Sequence, residues 1–160
     1  GSGLKLLLKG QIDRIDRIGG SSHYEVVDYK TGRPWTRERR RARFHGGLQL
    51  QHALYALTAE ALRRKTDPKA RVTDSQYFFP TRLGRGLRLE RGGPDTAALG
   101  ALLRDLLEQP GAGHFPNAAE EATCARCEFR SACGDSPWAL GKRQREDPAL
   151  EALKRTEGAR

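Results

Sequence analysis

The sequence has few cysteines, no long apolar run and no glycine-rich phosphate loop, and each absence excludes a class of protein. Its three cysteines all lie between Cys124 and Cys133. An odd, clustered set argues against a disulfide framework and favours a metal or cluster site in a reducing compartment. A membrane span needs about 18 or more consecutive apolar residues, and none occur, so we expect no membrane partner. Without a phosphate loop, this segment does not bind nucleotide by the usual route.

The composition is that of one soluble, basic domain. The chain has 160 residues, of which 37% are hydrophobic and 31% charged. Lys and Arg number 29 against 20 acidic residues, which gives a net charge of +9 and a pI near 9.9. This excess is the footprint expected of a protein that binds a phosphate backbone, although genome bias also produces arginine-rich compositions. The charge therefore favours DNA as a partner without establishing it.

The hydrophobic pattern predicts an α/β or α+β domain with a small mixed sheet. Apolar positions in a helix at 48–65 recur as a stripe that we expect to be core, and Asp95 is a candidate N-cap for a helix that ends at Gln109. Alternation and turn residues predict strands at 4–17, 24–30, 72–80 and 87–90, the first two as an antiparallel hairpin. The stripe comprises Leu50, Leu54, Leu57, Ala61 and Leu62.

Three segments are expected along the chain. Residues 1–3 are interpreted as a tag or linker remnant and are left out of the fold. Residues 4–135 are expected to form one domain that ends in a cysteine-bearing loop. Residues 136–160 are expected to form a charged tail with helical character.

The candidate site is a set of acidic and basic side chains on the predicted hairpin. Asp13 and Asp28 lie on its two strands, and Lys30 lies two residues after Asp28, so the side chains of Asp28 and Lys30 emerge from the same face. Two carboxylates and an ammonium group suit metal-assisted phosphodiester hydrolysis. Asp-x-Lys alone is more often a surface ion pair.

Four motifs in fixed order raise this pattern above an isolated ion pair. They span most of the chain and read Gly-x-x-Asp-Arg-x-Asp from Gly10, Asp-Tyr-Lys-Thr-Gly from Asp28, Gln-x-x-x-Tyr from Gln51, and Cys-x-x-Cys with a further Cys from Cys124. The set resembles the RecB-like, iron–sulfur-containing branch of the PD-(D/E)xK nuclease superfamily, which includes the nuclease domains of AddB-type helicase–nucleases. The resemblance implies a restriction-endonuclease-like α/β core, a small mixed sheet flanked by helices with the site at one sheet edge.

The resemblance also implies a role for each matching residue. Asp13 and Asp28 would bind Mg²⁺ or Mn²⁺, and Lys30 would position the attacking water or stabilise the transition state. Gln51 and Tyr55 would contact DNA or support the metal ligands. Two alternatives are weaker: Gln49 stands six residues from Tyr55 rather than four, and Asp16 should face the other side of a regular strand and pair with an arginine.

In the resembled family the late cysteines bind a 4Fe–4S cluster, with a fourth cysteine upstream. The implied ligands here are Cys124, Cys127 and Cys133, and no cysteine precedes Cys124. The family also often carries a catalytic histidine upstream of the segment that matches. We therefore interpret the chain as a fragment or as a protein without those parts. Three reduced structural thiols are the alternative, and His114 is more readily explained as a turn residue than as a missing ligand.

The remaining candidates lie in and around the arginine-rich run. A contact with the DNA backbone is one interpretation of the run, and a solvated surface is the other. Trp35 and Trp138 are expected to pack in loops rather than stack on bases. The candidate DNA-binding residues are Arg37, Arg39, Arg40, Arg41 and Arg43.

Taken together, the sequence predicts a metal-dependent deoxyribonuclease. The resemblance implies exonuclease action in recombinational repair, a helicase domain or subunit as partner, and a bacterial-type cytoplasmic location at the nucleoid. Two rival hypotheses are a DNA-binding module that no longer cuts and a module that docks on a helicase.

Overall fold

The computed structural model of the protein describes Leu7 and residues 9–158. The described chain divides into two compact units, one formed by residues up to Gly100 and the other by Ala101–Gly158. The predicted tag at residues 1–3 lies outside the described residues. Among the residues that are described, no helix has both the length and the apolar character needed to cross a membrane.

A four-stranded mixed sheet forms the centre of the first unit. In sheet order the strands are β1 (Arg14–Arg17), β2 (His23–Tyr29), β3 (Arg71–Phe79) and β4 (Leu87–Glu90). The outer pairs β1–β2 and β3–β4 are antiparallel, whereas the central pair β2–β3 is parallel. Because parallel strands run in the same direction, β2 and β3 end at the same edge of the sheet, which we call the C-terminal edge. The predicted α/β class and mixed sheet are confirmed.

Between β2 and β3 the chain forms two helices, α1 (Arg37–Arg41) and α2 (Gln51–Arg63). The second helix packs on the face of the sheet that carries Tyr24 and Val26. Its contact surface is made of small side chains, with Ala56 and Ala59 fully buried. Small side chains let the helix axis approach the sheet closely, so the close fit rests on alanine rather than on leucine.

The predicted core stripe of α2 was wrong. We expected the leucines and Ala61 to face the core, but Leu62 is 48% exposed, Ala61 is exposed too, and the other three leucines are only half-buried. The buried positions are His52, Ala53, Ala56 and Ala59, which also recur at helical spacing. Both the leucine set and the alanine set recur at the helical period, and hydrophobicity alone favoured the bulkier leucines. The helix is also shorter than predicted, 51–63 rather than 48–65.

The first strand also begins later than predicted. Arg14 is its first residue, residues 9–12 are irregular, and Asp13 lies at a bend. At Asp13 the side chain, rather than the backbone, pairs with β2, because Asp13 Oδ2 accepts the hydrogen bond of the Tyr29 amide at 2.9 Å. The earlier part of the predicted strand, residues 4–6 and 8, lies outside the described residues.

In α1 the arginine-rich run forms a short helix. Thr36 caps its N-terminus by accepting a hydrogen bond from the Arg39 amide. Two side chains of the same unit hold its backbone: Gln49 Nε2 donates to Arg39 O at 2.9 Å, and Arg91 Nη1 donates to Arg40 O at 2.9 Å.

Four helices account for most of the remaining chain, with 3-10 turns at Arg130–Cys133 and Pro148–Leu150; the helices are α3 (Thr96–Gly111), α4 (Glu121–Cys124), α5 (Pro137–Gln144) and α6 (Glu151–Gly158). The helix α3 starts in the first unit, and its predicted cap is confirmed, since Asp95 Oδ1 accepts from the Ala98 amide at 2.9 Å. It ends at Gly111 rather than Gln109, because Pro110 is accommodated in its last turn. In the second unit, Arg155 Nη2 on α6 lies 2.8 Å from Asp105 Oδ1 on α3.

Candidate active site

Asp28 and Lys30 form an ion pair at the C-terminal edge. Asp28 is the penultimate residue of β2 and is only 3% exposed. Lys30 follows the strand, and its amide donates to Phe78 O of β3 at 2.8 Å, which extends the parallel ladder by one residue. The Nζ of Lys30 lies 2.5 Å from Asp28 Oδ2, so the predicted placement of both side chains on one face is confirmed.

Asp13 lies beside Asp28, and Asp16 does not. The carboxylate of Asp13 accepts the Tyr29 amide hydrogen bond, and its negative charge contributes to the raised pKa of Asp28. Asp16 pairs with Arg14, whose Nε lies 2.8 Å from Asp16 Oδ1, as expected for a residue on the opposite face. The geometry therefore favours Asp13 as the second carboxylate of the site.

A hydrogen-bond network extends from Lys30 to the first two turns of α2. Lys30 Nζ donates to Gln51 Oε1 at 2.8 Å, and Gln51 Nε2 donates to the hydroxyl of Tyr55 at 2.9 Å. Gln51 and Tyr55 are one helical turn apart, so both face the strand end. The motif that begins at Gly10 meets this network, because a Cβ on Gly10 would lie 3.6 Å from the Tyr55 ring.

Gln49 belongs to the scaffold rather than to this network. Its side chain is 1% exposed, and its Oε1 accepts a hydrogen bond from Arg91 Nη2 at 3.2 Å. Since its amide nitrogen donates to Arg39 O, both ends of the side chain are occupied. Gln51, which has the four-residue spacing to Tyr55, is therefore the glutamine that contacts Lys30.

The carboxylates suit a hard divalent cation. Within the described part of the chain, Asp28 Oδ2 is buried and, apart from its ion pair with Lys30, accepts no hydrogen bond. Burial raises the pKa of the Asp28 carboxyl, against an opposing effect of Lys30 and with a further increase from Asp13. A buried carboxylate that lacks hydrogen-bond donors gains most from a cation. No third His, Cys, Asp or Glu converges on the pair among the described residues. Mg²⁺ is commonly held by one or two carboxylates with waters and substrate phosphates, so the carboxylates of Asp13 and Asp28 fit a Mg²⁺ site.

Tyr77 and Trp35 support the site, a role for which the sequence carries no signal. Tyr77 is the cross-strand partner of Asp28, is 1% exposed, and places its ring centroid 5.2 Å from Lys30 Nζ. Trp35 packs edge-on against Tyr77 at 4.7 Å, in agreement with its expected role in loop packing. The register between β2 and β3 shifts at Tyr24 and Glu25, so strand alternation alone did not predict which residue faces Asp28.

His52 lies behind Tyr77 and is buried in a neutral state. Its Nδ1 is 3.2 Å from the Tyr77 hydroxyl, and its Nε2 is buried without a hydrogen-bond partner among the described residues. Burial lowers the pKa of His52 to about 4, and the positive charges of Arg91 and Arg43 contribute to this decrease. Burial raises the pKa of Tyr77 to about 12. The pair therefore carries no net charge at neutral pH.

The five candidate DNA-binding arginines fall into two groups. Arg39 and Arg43 are half-buried: Arg39 stacks on Trp35 at 4.3 Å, and Arg43 Nη2 donates to Gly93 O at 2.7 Å. The other three are exposed and available to a ligand; they are Arg37, Arg40 and Arg41.

In the second unit the three cysteines line one cavity of about 190 Å³. Cys124 is buried, whereas Cys127 and Cys133 are exposed. All three are free thiols, and no three of the described His, Cys, Asp or Glu side chains converge closely enough to hold a metal ion. The cavity thus offers thiol donors around one space without a closed ligand set. His114 matches its expected turn role, because its amide donates to Gln109 O at 2.8 Å beyond the end of α3.

Comparisons with known proteins agree with this geometry. A family model for the PD-(D/E)XK nuclease superfamily matches residues 1–134. A relative from Symbiobacterium thermophilum, one of the subunits of an ATP-dependent helicase/deoxyribonuclease, is 35% identical over 81 residues. The alignment covers 49% of this chain and 7% of the relative, so the chain corresponds to a small part of that protein. No solved structure matches the chain significantly. The family match extends over most of the chain, and the chain belongs to the PD-(D/E)XK nuclease superfamily.

Proposed function

We propose that this chain hydrolyses DNA phosphodiester bonds with Mg²⁺ or Mn²⁺. The observation that carries the proposal is the buried Asp28 carboxylate, in contact with Lys30 and beside Asp13 at one sheet edge. Membership of a nuclease superfamily supports the reaction class. The net charge of +9 supports a polyanionic substrate.

Asp13 and Asp28 would hold the divalent ion. When bound, the ion supplies Lewis-acid activation of a phosphoryl oxygen and a lowered pKa for a water molecule. Asp28 is preorganised for this role, because its strand is central in the sheet and its carboxylate is already desolvated. Asp13 is held by the Tyr29 amide through one oxygen, which leaves the other oxygen for the ion.

Lys30 would orient the attacking water and stabilise negative charge on the phosphate. Its ammonium group has three donors, of which one is directed to Gln51 and one faces Asp28. The third donor is left for water or phosphate. Gln51 and Tyr55 act as positioning residues, because they fix the Lys30 side chain from the more rigid helix.

We further propose exonuclease action in recombinational repair together with a helicase domain or subunit, in the cytoplasm at the nucleoid. The relative from Symbiobacterium thermophilum is named as part of an assembly that is both helicase and deoxyribonuclease, which supports the proposal. The exposed arginines of α1 would contact the DNA backbone, chiefly Arg37, Arg40 and Arg41.

We also propose that Cys124, Cys127 and Cys133 ligate an iron–sulfur cluster. Thiolates are the usual ligands of such clusters, which need four, and three thiols line one cavity although, among the described residues, they do not converge closely enough to hold a single metal ion. The sequence has three cysteines, so the fourth ligand comes from another residue type, a small molecule or another protein segment. Anaerobic reconstitution with iron and sulfide should give about four irons per chain. The variant Cys127→Ser should lose that iron, and a wild type that retains none would contradict the proposal.

The nuclease proposal is tested with end-labelled DNA. Wild-type protein should cut single- or double-stranded DNA with Mg²⁺ or Mn²⁺ and should stop when EDTA removes the metal. DNA binding that persists without any cutting would instead favour the DNA-binding module. A protein that neither binds nor cuts DNA would favour the docking module.

A further inference from the structure

A groove with two arginines on its rim lies beside the candidate active site. It has a volume of about 450 Å³ and no acidic residue in its lining. Its apolar members include Leu83, which is 59% exposed, so the apolar surface is open to a ligand. We call this feature the rim groove, and it is lined by Pro34, Arg40, Leu83, Gly84, Arg85 and Leu87.

The loop that forms one wall of the groove is tightly folded. A Cβ on Gly84 would lie 2.5 Å from the Cβ and O atoms of Phe79, so only glycine allows this close approach. Arg85 adopts a left-handed conformation with φ of 53°, which is uncommon for a residue other than glycine. Its amide donates to Thr81 O at 2.8 Å, and that of Gly86 donates to Phe79 O at 3.0 Å. The loop therefore presents Arg85 from a fixed backbone.

The opposite wall is also fixed. Arg40 projects from α1, and its carbonyl oxygen accepts a hydrogen bond from Arg91 at 2.9 Å. Pro34 adjoins Trp35, which packs edge-on against Tyr77, and the Tyr77 ring lies 5.2 Å from Lys30 Nζ. This wall is thus joined to the Asp28–Lys30 pair by a continuous aromatic contact.

Both walls leave the sheet at the C-terminal edge. The segment that holds Pro34 and Arg40 follows β2, and the loop with Arg85 follows β3. Since these two strands are parallel, the rim groove opens at the edge where Asp28 and Lys30 lie. The rim groove and the Asp28–Lys30 pair therefore share one edge of the sheet, where one polymer could contact both.

Two arginines and apolar side chains in the lining of one groove match one class of ligand. Guanidinium groups bind phosphates, and burial of the exposed leucine and proline surface favours bases or sugars that are not already stacked in a duplex. We propose that the rim groove binds the backbone of a single DNA strand next to the phosphate that is cut, with Arg40 and Arg85 each contacting one phosphate. The assignment of DNA as the ligand rests on the proposed function. The groove proposal adds Arg85 as a contact residue, a single strand as the form of DNA, and the position of that strand.

The experiment measures binding separately from cutting. Fluorescent oligonucleotides are titrated in EDTA at several salt concentrations, as a single strand and as a duplex. The test protein carries Arg40→Ala and Arg85→Asn, since asparagine tolerates the left-handed conformation. The matched control carries Lys65→Ala and Lys69→Ala, which remove the same charge from exposed positions between α2 and β3, at the opposite end of the sheet.

We expect the test protein to bind the single strand roughly tenfold more weakly than the control. The slope of log affinity against log salt should be shallower by about 1.4, which is about 0.7 for each lost phosphate contact. A double lysine variant, Arg40→Lys with Arg85→Lys, should restore the slope. Equal binding by test and control proteins would overturn the proposal, and so would a loss confined to the duplex. If the groove variants lose affinity while wild type cuts no DNA, single-strand binding at the groove stands, whereas the nuclease proposal and the position beside a cut phosphate both fail.

Discussion

Asp28 is the residue at which the requirements of fold and chemistry conflict. Its carboxylate is buried at 3% exposure and, among the described residues, pairs with one positive charge, that of Lys30, so burial raises its pKa. A buried charge with incomplete compensation destabilises the fold. Such a cost is expected at a functional site, where a ligand completes the set of contacts.

The first prediction therefore concerns Asp28→Asn. In EDTA this neutral substitution should raise the melting temperature, because it removes the desolvated charge. Added Mg²⁺ should stabilise wild type by roughly 2.7 kcal/mol at 100 times its Kd and should leave the variant unchanged. Thermal melts with and without Mg²⁺ give both values.

Asp16→Asn is the matched control for this measurement. Asp16 pairs with Arg14 on the other face of the strand, so this variant should keep the wild-type response to Mg²⁺. If Asp16→Asn loses the response and Asp28→Asn keeps it, the assignment of the metal ligands is wrong.

The second prediction follows from the buried imidazole of His52. Its pKa falls from 6.5 to about 4 in the folded protein, so between these pH values the unfolded chain binds a proton that the folded chain does not. Stability should therefore fall as the pH is lowered from 6.5 to 4, by about 3 kcal/mol from this residue at 1.36 kcal/mol per pKa unit. Above pH 6.5 the residue should contribute no pH dependence.

Chemical denaturation at a series of pH values measures the effect as a difference between wild type and His52→Gln. The difference between the two free energies of unfolding should change across that window and be constant above it. NMR titration of wild type provides an independent check that needs no variant. A His52 ring that titrates near pH 6.5 would contradict the buried neutral state.

At the level of elements, α2 connects the core to the site. Gln51 and Tyr55 near its N-terminus hold Lys30, and Ala56 and Ala59 in its middle set the distance to the sheet. Because Ala56 is 0% exposed and packs against the strands, a larger side chain there has no free space.

The third prediction compares two leucine substitutions on this helix. Ala56→Leu should lower the free energy of unfolding by about 1–3 kcal/mol, because it overpacks the helix–sheet contact. Ala61→Leu at an exposed position should change it by less than about 0.5 kcal/mol. Urea denaturation of both variants measures the difference, and equal losses would mean that the buried stripe is assigned to the wrong residues.

Some elements were predictable from sequence because their signals are local. Strand β4 has its predicted bounds, β3 differs from the prediction by one residue at each end, and Asp95 caps α3 as expected. The leucine stripe failed because two stripes fit one helical period and only packing selects between them. The first strand failed because the Asp13 side chain takes the place of a backbone partner, and no propensity reports such a substitution.

In the candidate site, too, the features with a local sequence signal were predictable and those that depend on tertiary packing were not. The order of the motifs predicted that Asp13, Asp28, Lys30, Gln51 and Tyr55 lie together, and hydrogen bonds and the ion pair bring them together. Tyr77 and His52 depend on the register of β2 against β3 and on the rotation of α2, which are tertiary properties. Two of the five candidate arginines were equally unpredictable, since Arg39 and Arg43 make inward contacts rather than facing solvent.

At the scale of the whole molecule, the proposed chemistry is divided between the two compact units. The first contains the carboxylates, Lys30 and the rim groove, and the second contains the cysteine cavity. The family match covers the first unit and extends into the second as far as residue 134, which includes all three cysteines. The proposed catalysis belongs to the first unit, where Lys30 joins the carboxylate to the helix.

The most direct measurement is cleavage of end-labelled DNA by wild type, Lys30→Ala and Lys65→Ala in Mg²⁺ or Mn²⁺. Lys65 is an exposed lysine beyond the end of α2, so its variant controls for the loss of one positive charge. We expect metal-dependent cutting by wild type and Lys65→Ala, and a loss of roughly 100-fold or more for Lys30→Ala, as for removal of one group that stabilises transition-state charge. Cutting by Lys30→Ala at the wild-type rate would contradict the assigned active site, and no cutting by wild type would contradict catalysis by this chain.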